Sequence, residues 1–338
     1  MHMADALVSP QVGIAAAVVA AGCLGVAARK VKNDRRSENA VALMGVLGAF
    51  VFAAQMINFT IPGTGSSGHI VGGVLLAAIL GPWAALITLT SVILIQCLVF
   101  ADGGLMALGC NILNMAVTSC LIAYPLVFKP IMRGGRKSTA RLSVAAIAAC
   151  VVGLECGALL VVGETELSGV TALPADKFLL FMLPIHLVIG LAEGVATAAV
   201  LRCVADYKPG LVFHTAAEDG AVKPSGHKLR NVVIAFAVAA VVLGGTFSWI
   251  ASTNPDGLEW SIGKVAGAAE PVASGLSAAA SDFQADTAPV ADYGSTFSGI
   301  IGIAVVLILL WAVSTLLRRR RVHLSKAQSP VKEEGHHK

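Results

Sequence analysis

The first two residues of the chain, Met1 and His2, carry the chemistry of a metal chelate. A free α-amine, the amide nitrogen of residue 2 and the Nδ1 atom of a histidine at position 2 can close adjacent five- and six-membered rings around one metal ion. A deprotonated amide nitrogen favours square-planar coordination, and planar nitrogen sites are typical of Ni(II) or Cu(II) rather than Zn(II). Three donors from two residues leave one corner of the square open.

His69 is the candidate for the fourth donor, because the topology derived below places it on the same side of the membrane as the N-terminus. It follows a short polar stretch, Ser66 to Gly68, at the outer end of a short predicted helix. The alternative is that His2 is a solvated terminal residue and His69 an interfacial histidine. The spacing of the residues leaves both interpretations open.

Five further polar residues lie inside apolar segments, where ionisable groups are costly and usually functional. They are Asn111, Asn114, Glu155, His186 and Glu193. At about 1.5 Å per residue from the outer helix ends, the first four fall in the outer half of the membrane and Glu193 near its centre. They could surround one cavity, as an outer layer around the metal or a pathway to it. The alternative is that they form hydrogen bonds between helices.

The composition places all of these residues in a lipid bilayer. Hydrophobic residues make up 56% of the 338 residues and charged residues 13%, with a mean hydropathy of +0.80, whereas a soluble domain carries about 25% charged residues. This composition excludes a disordered chain, a nucleic-acid-binding protein with a basic face and a secreted disulfide scaffold. The seven cysteines fall in or at the ends of predicted spans without a CxxC pair, so we interpret them as small core residues.

Apolar runs predict an all-α fold, a polytopic membrane bundle of nine helices. Seven runs are long enough to cross the hydrocarbon core, and they lie at 8–29, 40–58, 105–128, 142–163, 178–203, 231–251 and 297–317. The run 70–101 is too long for one span and is broken at Gly81, Pro82 and Trp83, which predicts helices over 70–80 and 83–101. The first of this pair is too short to cross fully and must be shielded by its neighbours.

The lysine and arginine residues predict the orientation of the bundle. They cluster at 29–36, 129–141, 202–230 and from 318 onward, and the positive-inside rule makes these segments cytoplasmic. The N-terminus is then extracytoplasmic and the C-terminus cytoplasmic, in a multi-pass protein of the cell membrane. No lysine or arginine precedes the first apolar run, so we expect Met1 to be retained rather than removed with a signal peptide.

One shift in composition predicts the organisation of the chain. A seven-helix body over 1–205 carries the candidate metal ligands, and a cytoplasmic linker over 206–229 contains several Gly and Pro residues. A two-helix segment over 230–317 and a basic cytoplasmic tail over 318–338 follow. The outer part of the two-helix segment, 252–296, is acidic and rich in Ala, Ser and Gly, which predicts a loosely structured loop.

Two motifs of catalysis are missing from the sequence. It contains neither a G-x-x-x-x-G-K-[ST] phosphate-binding loop nor an H-E-x-x-H metalloprotease motif. The chain therefore has no evident enzyme site, and any ATP hydrolysis must come from a partner subunit.

Four segments resemble the CbiM/NikM family, the substrate-binding membrane components of energy-coupling-factor transporters for nickel and cobalt. These segments are Met1–Pro10, Ser67–Gly73, Gly109–Met115 and His186–Gly194. The resemblance covers about residues 1–205. Residues 230–317, with the sequence Pro-Asp-Gly-Leu-Glu at 255–259, look like the small two-helix companion subunit of such systems, fused in one chain.

The resemblance implies that the Met1 amine, the His2 amide nitrogen and imidazole, and the His69 imidazole hold the transported Ni2+ or Co2+. It also implies a separate membrane coupling subunit and a cytoplasmic ABC-type ATPase, and no resident cofactor in this chain. Many cobalt-type members continue with Ile-Pro-Asp-Gly after Met-His, whereas this chain has Met3–Ala6, Met-Ala-Asp-Ala. The planar nitrogen donor set slightly favours nickel.

Two other functions fit parts of the sequence. An ion-coupled secondary transporter could relay protons or bind cations through Glu155, His186 and Glu193. A membrane metal sensor could use the same N-terminal chelate and signal through its cytoplasmic tail. Metal uptake by this chain without any ATPase would favour the secondary transporter. Persistence of cellular metal uptake after deletion of the gene would favour the sensor.

Overall fold

The computed structural model describes residues 1–33, 37–133, 138–213, 226–246, 251–267, 271–288 and 299–313. The chain is an all-α membrane bundle, as predicted, with one small β-hairpin. In chain order the elements are α1 Pro10–Asn33, α2 Ser37–Gln55, β1 Phe59–Ile61, β2 Ser66–Gly68, α3 Gly73–Leu80, α4 Pro82–Phe100, α5 Leu108–Arg133, α6 Thr139–Ser168, α7 Ala175–Tyr207, α8 Pro209–Phe213, α9 Gly226–Gly245, α10 Gly257–Ala266, α11 Gly275–Thr287 and α12 Gly299–Val313.

Each of the nine predicted spans has a helix at its place. Helices α1, α4, α5, α6 and α7 are long and apolar enough to cross a membrane, and α2, α9 and α12 contain shorter apolar helical segments. The predicted break at 81–83 is confirmed: Gly81 has φ +81°, and Pro82 is the first residue of α4, where its missing N–H costs nothing. The chain is therefore a multi-pass membrane protein.

Helix α3 is shorter than predicted. It begins at Gly73 rather than at residue 70 and has only eight residues, about 12 Å of helix. It is almost entirely buried, as a helix that does not cross must be. Gly72, immediately before it, has φ +78°, a conformation that favours glycine and ends the extended segment that carries His69.

The prediction of a loosely structured loop over 252–296 is wrong for its described residues, because these form the two helices α10 and α11. Asp256 is the N-cap of α10: its Oδ1 atom accepts hydrogen bonds from the backbone of Leu258 and Glu259, and the Glu259 side chain accepts one from the Asp256 N–H. This capping box starts the helix locally. The average composition of 252–296 does not reveal this motif, which is why a loop was predicted.

The C-terminal helices pack against the body. Phe236 of α9 meets Phe50 of α2 edge to face, with ring centroids 5.0 Å apart. Helix α10 lies against α7 and the β-hairpin, and α11 lies against the short 3₁₀ turn Asp5–Leu7. The predicted linker 206–229 starts with the end of α7 and contains α8, and its residues 214–225 lie outside the described residues, as does the predicted tail 318–338.

Candidate metal centre

The N-terminal segment runs into the interior of the bundle, where Asn111 of α5 holds it. The Met3 N–H donates to Asn111 Oδ1 at 2.7 Å, and Asn111 Nδ2 donates to the Met3 carbonyl at 3.1 Å. The Gly104 N–H donates to the same carbonyl at 2.8 Å. The asparagine side chain thus pairs with the backbone as a neighbouring β-strand would, and fixes the residue that follows the candidate chelate.

Met1 and Met3 anchor the same segment through their side chains, which are buried. Met1 packs against Gly157 of α6, where a Cβ atom would lie 2.6 Å from Met1 Cε and would also meet the Asn114 carbonyl of α5. Asn114 donates through Nδ2 to Met3 Sδ at 3.4 Å and to Glu164 Oε2 at 2.7 Å. These contacts hold the Met1 and Met3 side chains in place.

The Met1 amine lies between His69 and Asp256. Its nitrogen is 3.2 Å from His69 Nε2 and 2.5 Å from Asp256 Oδ2. Two nitrogen donors that bind one ion at about 2.0–2.1 Å and at a right angle are about 2.8–3.0 Å apart. The amine and His69 are therefore close to the separation of neighbouring ligands in a square.

His69 has the protonation state that a metal ligand needs. Its Nδ1 atom lies 3.1 Å from the Ile70 carbonyl, which favours a proton on Nδ1 and leaves the Nε2 lone pair directed at the amine. Burial, and then the charge of the adjacent ammonium, lower the pKa of His69 well below its usual range. The imidazole is neutral at physiological pH.

His2 is close to His69 but is not yet in a chelating position. The two rings stack with centroids 5.4 Å apart and an interplanar angle of 25°. The His2 Nε2 atom lies 3.2 Å from Gln96 Oε1, and Nδ1 lies 3.3 Å from Asp102 Oδ1. The predicted chelate uses Nδ1, so metal binding requires this nitrogen to leave the Asp102 carboxylate.

Two carboxylates therefore hold donor atoms of the predicted chelate in the metal-free protein. Asp256 contacts the amine and Asp102 contacts the His2 ring. Burial raises the pKa of the Asp256 carboxyl, but the ammonium and His69 outweigh this effect and hold the pKa well below its usual range. Asp256 is therefore an anion at any physiological pH.

Glu193 of α7 fixes the backbone beside His69. Its buried carboxyl group accepts hydrogen bonds from the N–H groups of Val71 at 2.8 Å and Gly72 at 2.9 Å. Both residues precede the first turn of α3, where no carbonyl of the helix can accept from their N–H groups, and Glu193 supplies the missing acceptors. Glu193 thus ties α7 to the backbone segment that carries His69.

Replacing Glu193 with Gln is expected to leave one of these buried N–H groups without an acceptor, at a cost of about 1–3 kcal/mol. The melting temperature in detergent should fall, and metal affinity should fall with it because the His69 segment loosens. Glu166→Gln is the matched control, since Glu166 is an exposed glutamate of α6. Equal melting temperatures for the two variants would contradict the positioning role.

The five polar residues predicted inside the membrane do not all converge. His186 lines a small cavity of about 10 Å³ together with Met1, His69 and Asp256. Its Nδ1 atom bonds to the Met182 carbonyl at 2.8 Å, and its buried Nε2 atom has no hydrogen-bond partner. Glu155 does not line this cavity, although its Oε1 atom is buried without a partner. Asn111, Asn114 and Glu193 do not line this cavity, and they form hydrogen bonds with backbone and side-chain groups.

Sequence reasoning missed three residues of the site: Gln96, Asp102 and, at the amine, Asp256. Asp256 lies in the acidic segment that composition assigned to a loop. Among the described residues, no three His, Cys, Asp or Glu side chains are grouped as a metal site. The N-terminal amine and backbone nitrogen atoms are further donors available at this place.

Comparison with known proteins assigns both parts of the chain. Residues 2–211 match the family model CbiM, described as the cobalt uptake substrate-specific transmembrane region, and residues 230–319 match the PDGLE domain model. These matches cover the body with the candidate centre and the segment with Asp256.

Relatives and a solved structure agree with this assignment. A protein of Archaeoglobus fulgidus, provisionally named a fused nickel transport protein NikMN, is 33% identical over 287 residues, which cover 84% of this chain and 89% of the relative. The fused nickel transport protein NikMN of Rhodobacter capsulatus is 35% identical over 167 residues, 48% of this chain and 46% of the relative. A crystal structure of a transition metal transporter superposes with a TM-score of 0.55 at 28% identity, over 65% of this chain and 100% of that chain.

Proposed function

This chain belongs to the CbiM family and continues into a PDGLE domain, and from that premise we propose that it is the metal-binding membrane component of an ATP-driven energy-coupling-factor importer of Ni2+ or Co2+. The observation that carries the proposal is the 3.2 Å contact between the N-terminal amine and His69 inside the protein. Its relatives are metal transport proteins, so the chain is a transporter component rather than an enzyme.

The proposed ligands are four nitrogen atoms: the Met1 amine, the His2 amide nitrogen, His2 Nδ1 and His69 Nε2. The buried Met1 side chain, and the pairing of Met3 with Asn111, support this set because they hold the first residues rigidly against His69. The Nδ1–Ile70 contact supports it too, since ligating histidines commonly donate their second ring N–H to a carbonyl. Asn114, His186, Glu193 and Glu155 are assigned no direct contact with the ion.

Binding of the ion requires three local changes. An ammonium group has no free lone pair, so the amine must lose its proton and leave the direct ion pair with Asp256. The His2 ring must turn Nδ1 from Asp102 toward the amine, and the His2 amide must lose its proton. The ion must also enter without its water shell, because the cavity at the amine has room for about one water molecule.

Nickel is the preferred cargo on chemical grounds. A planar shell with a deprotonated amide suits Ni(II), whereas Cu(II) would bind such a shell at least as tightly by the usual affinity order. Affinity alone does not exclude copper, so the concentration of each free metal ion contributes to which ion is bound. Names of relatives include nickel transport proteins, and the family description names cobalt, so both ions belong in every assay.

The energy for transport is assigned to partner subunits. A membrane coupling subunit would reorient the loaded body, and a cytoplasmic ABC-type ATPase would supply ATP hydrolysis, because the sequence has no phosphate-binding loop of its own. The proposed orientation keeps the N-terminus outside and the C-terminus in the cytoplasm. The ion-coupled alternative is weakened by the use of Glu193, whose two oxygens are both occupied by backbone N–H groups.

The function is tested by uptake of radioactive nickel or cobalt into cells that express the chain with or without its coupling subunit and ATPase. We expect concentrative uptake only with the partners, and its loss when the ATPase is inactivated. Uptake by the chain alone would favour the secondary transporter. Unchanged cellular uptake after deletion of the gene would favour the sensor.

A further inference from the structure

The PDGLE domain sits on the candidate metal centre. The Ser67 N–H donates to the Pro255 carbonyl at 2.8 Å, and Ser67 Oγ donates to the Asn254 carbonyl at 2.8 Å. Trp260 Nε1 donates to the Thr64 carbonyl at 2.9 Å. These bonds join the hairpin that precedes His69 to the start of α10, so a segment 187 residues away in sequence from Ser67 covers the centre.

This docking directs one carboxylate at the amine. Asp256 uses its two oxygens for different tasks: Oδ1 caps α10, and Oδ2 contacts the Met1 nitrogen. Its side chain is 16% exposed, and the Met1 side chain is 3% exposed. The Asp102 carboxylate, near His2, is 45% exposed and is therefore screened by water.

The loaded centre of the proposed function carries an uncompensated charge. A divalent ion, one deprotonated amide, a neutral amine and two neutral imidazoles sum to a net charge of about +1, counted from the ionisation states that metal binding imposes. A buried charge is costly unless an opposite charge lies nearby. Among the described residues, Asp256 is the carboxylate that contacts the amine from a mostly buried position.

We propose that Asp256 is the counter-ion of the loaded metal centre, so that the PDGLE domain completes the binding site of the CbiM body. In the metal-free protein the carboxylate balances the ammonium, and in the loaded protein the same carboxylate balances the chelate without being one of its ligands. This inference rests on the four-nitrogen chelate proposed above. It gives the fused segment a direct role in metal affinity.

The test compares four variants of the full chain, purified with an unmodified N-terminus. Asp256→Asn removes the charge but keeps the helix cap, because Asn and Asp cap equally well. Asp286→Asn makes the same change at an exposed position of α11. Trp260→Phe removes the hydrogen bond to the Thr64 carbonyl and leaves the Asp256 charge in place. His69→Gln removes a proposed ligand.

Two measurements are made on each variant. Equilibrium dialysis measures nickel affinity, and visible absorption reports the donor set.

We expect Asp256→Asn to weaken nickel binding by about 10- to 100-fold, the range for outer-shell partners of metal ligands. Its d–d spectrum at saturating nickel should match the unchanged protein, because the four nitrogen donors remain. Asp286→Asn should be unchanged, and Trp260→Phe should lose clearly less affinity than Asp256→Asn.

Three results would overturn the counter-ion role. The first is unchanged nickel affinity in Asp256→Asn, and the second is a loss of nickel affinity in Trp260→Phe as large as in Asp256→Asn. The third is a shifted d–d spectrum in Asp256→Asn, which would mark Asp256 as a ligand.

His69→Gln separates this inference from the proposed function. If His69→Gln loses binding while Asp256→Asn retains it, the chelate stands and the counter-ion fails. If His69→Gln retains binding, the chelate itself is wrong.

Discussion

Adding one alanine before Met1 is expected to weaken nickel and cobalt binding by at least about 100-fold, more than loss of an outer-shell contact. The amine would move by one residue, and the former amine nitrogen would become an amide that cannot complete the same chelate rings. The Met1 side chain cannot shift to compensate, because it is buried and packs against Gly157. Isothermal titration of the purified protein measures the effect.

The matched control for this extension is one alanine added after Lys338, which lengthens the chain by the same residue at its other end in sequence. Intact mass spectrometry of each sample establishes which residue carries the free amine. The control should bind nickel as the unchanged chain does. Unchanged affinity in the N-terminal variant, with the extra residue present by mass, would show that the amine is not a ligand.

Replacing His69 with Gln is expected to reduce affinity by a similar factor, at least about 100-fold. The Nε2 atom of the neutral His69 imidazole lies 3.2 Å from the amine, and the His2 ring stacks on the His69 ring. Glutamine fills similar space but offers no imidazole nitrogen. The measurement is nickel affinity by equilibrium dialysis, together with the melting temperature of the metal-free protein.

His186→Gln is the matched control for His69→Gln, because both residues are buried histidines that line the same cavity. The account expects less than a tenfold loss in this control, since His186 is not one of the four proposed donors. An equal loss in both variants would place His186 among the ligands and contradict the four-nitrogen assignment.

The sequence predicts the helices of this protein well because the bilayer imposes a simple rule on length and polarity. It also predicts Met1 and His2 as candidate ligands, since chelate geometry is a local property of an N-terminus. The break at Gly81 followed from the conformational preferences of Gly and Pro. In each of these cases, the physical cause acts within a few residues.

The missed parts depend on contacts between distant residues. Asp256 is 255 residues away from the amine that it contacts, and nothing local marks that pairing. The extended stretch before α3 is held by Glu193 from another helix, so the predicted helix started three residues too early. Helix α10 could have been found, since the Asp256–Glu259 capping box is a local signal that average composition hides.

The central claim is that four nitrogen atoms, including the free amine, hold the transported ion. X-ray absorption at the nickel edge, on protein with an unmodified N-terminus, tests this claim most directly. The account predicts a planar shell of four nitrogen donors with no carboxylate oxygen bound. A six-coordinate shell rich in oxygen would contradict it, because carboxylate or water oxygen atoms would then stand in place of the proposed nitrogen donors.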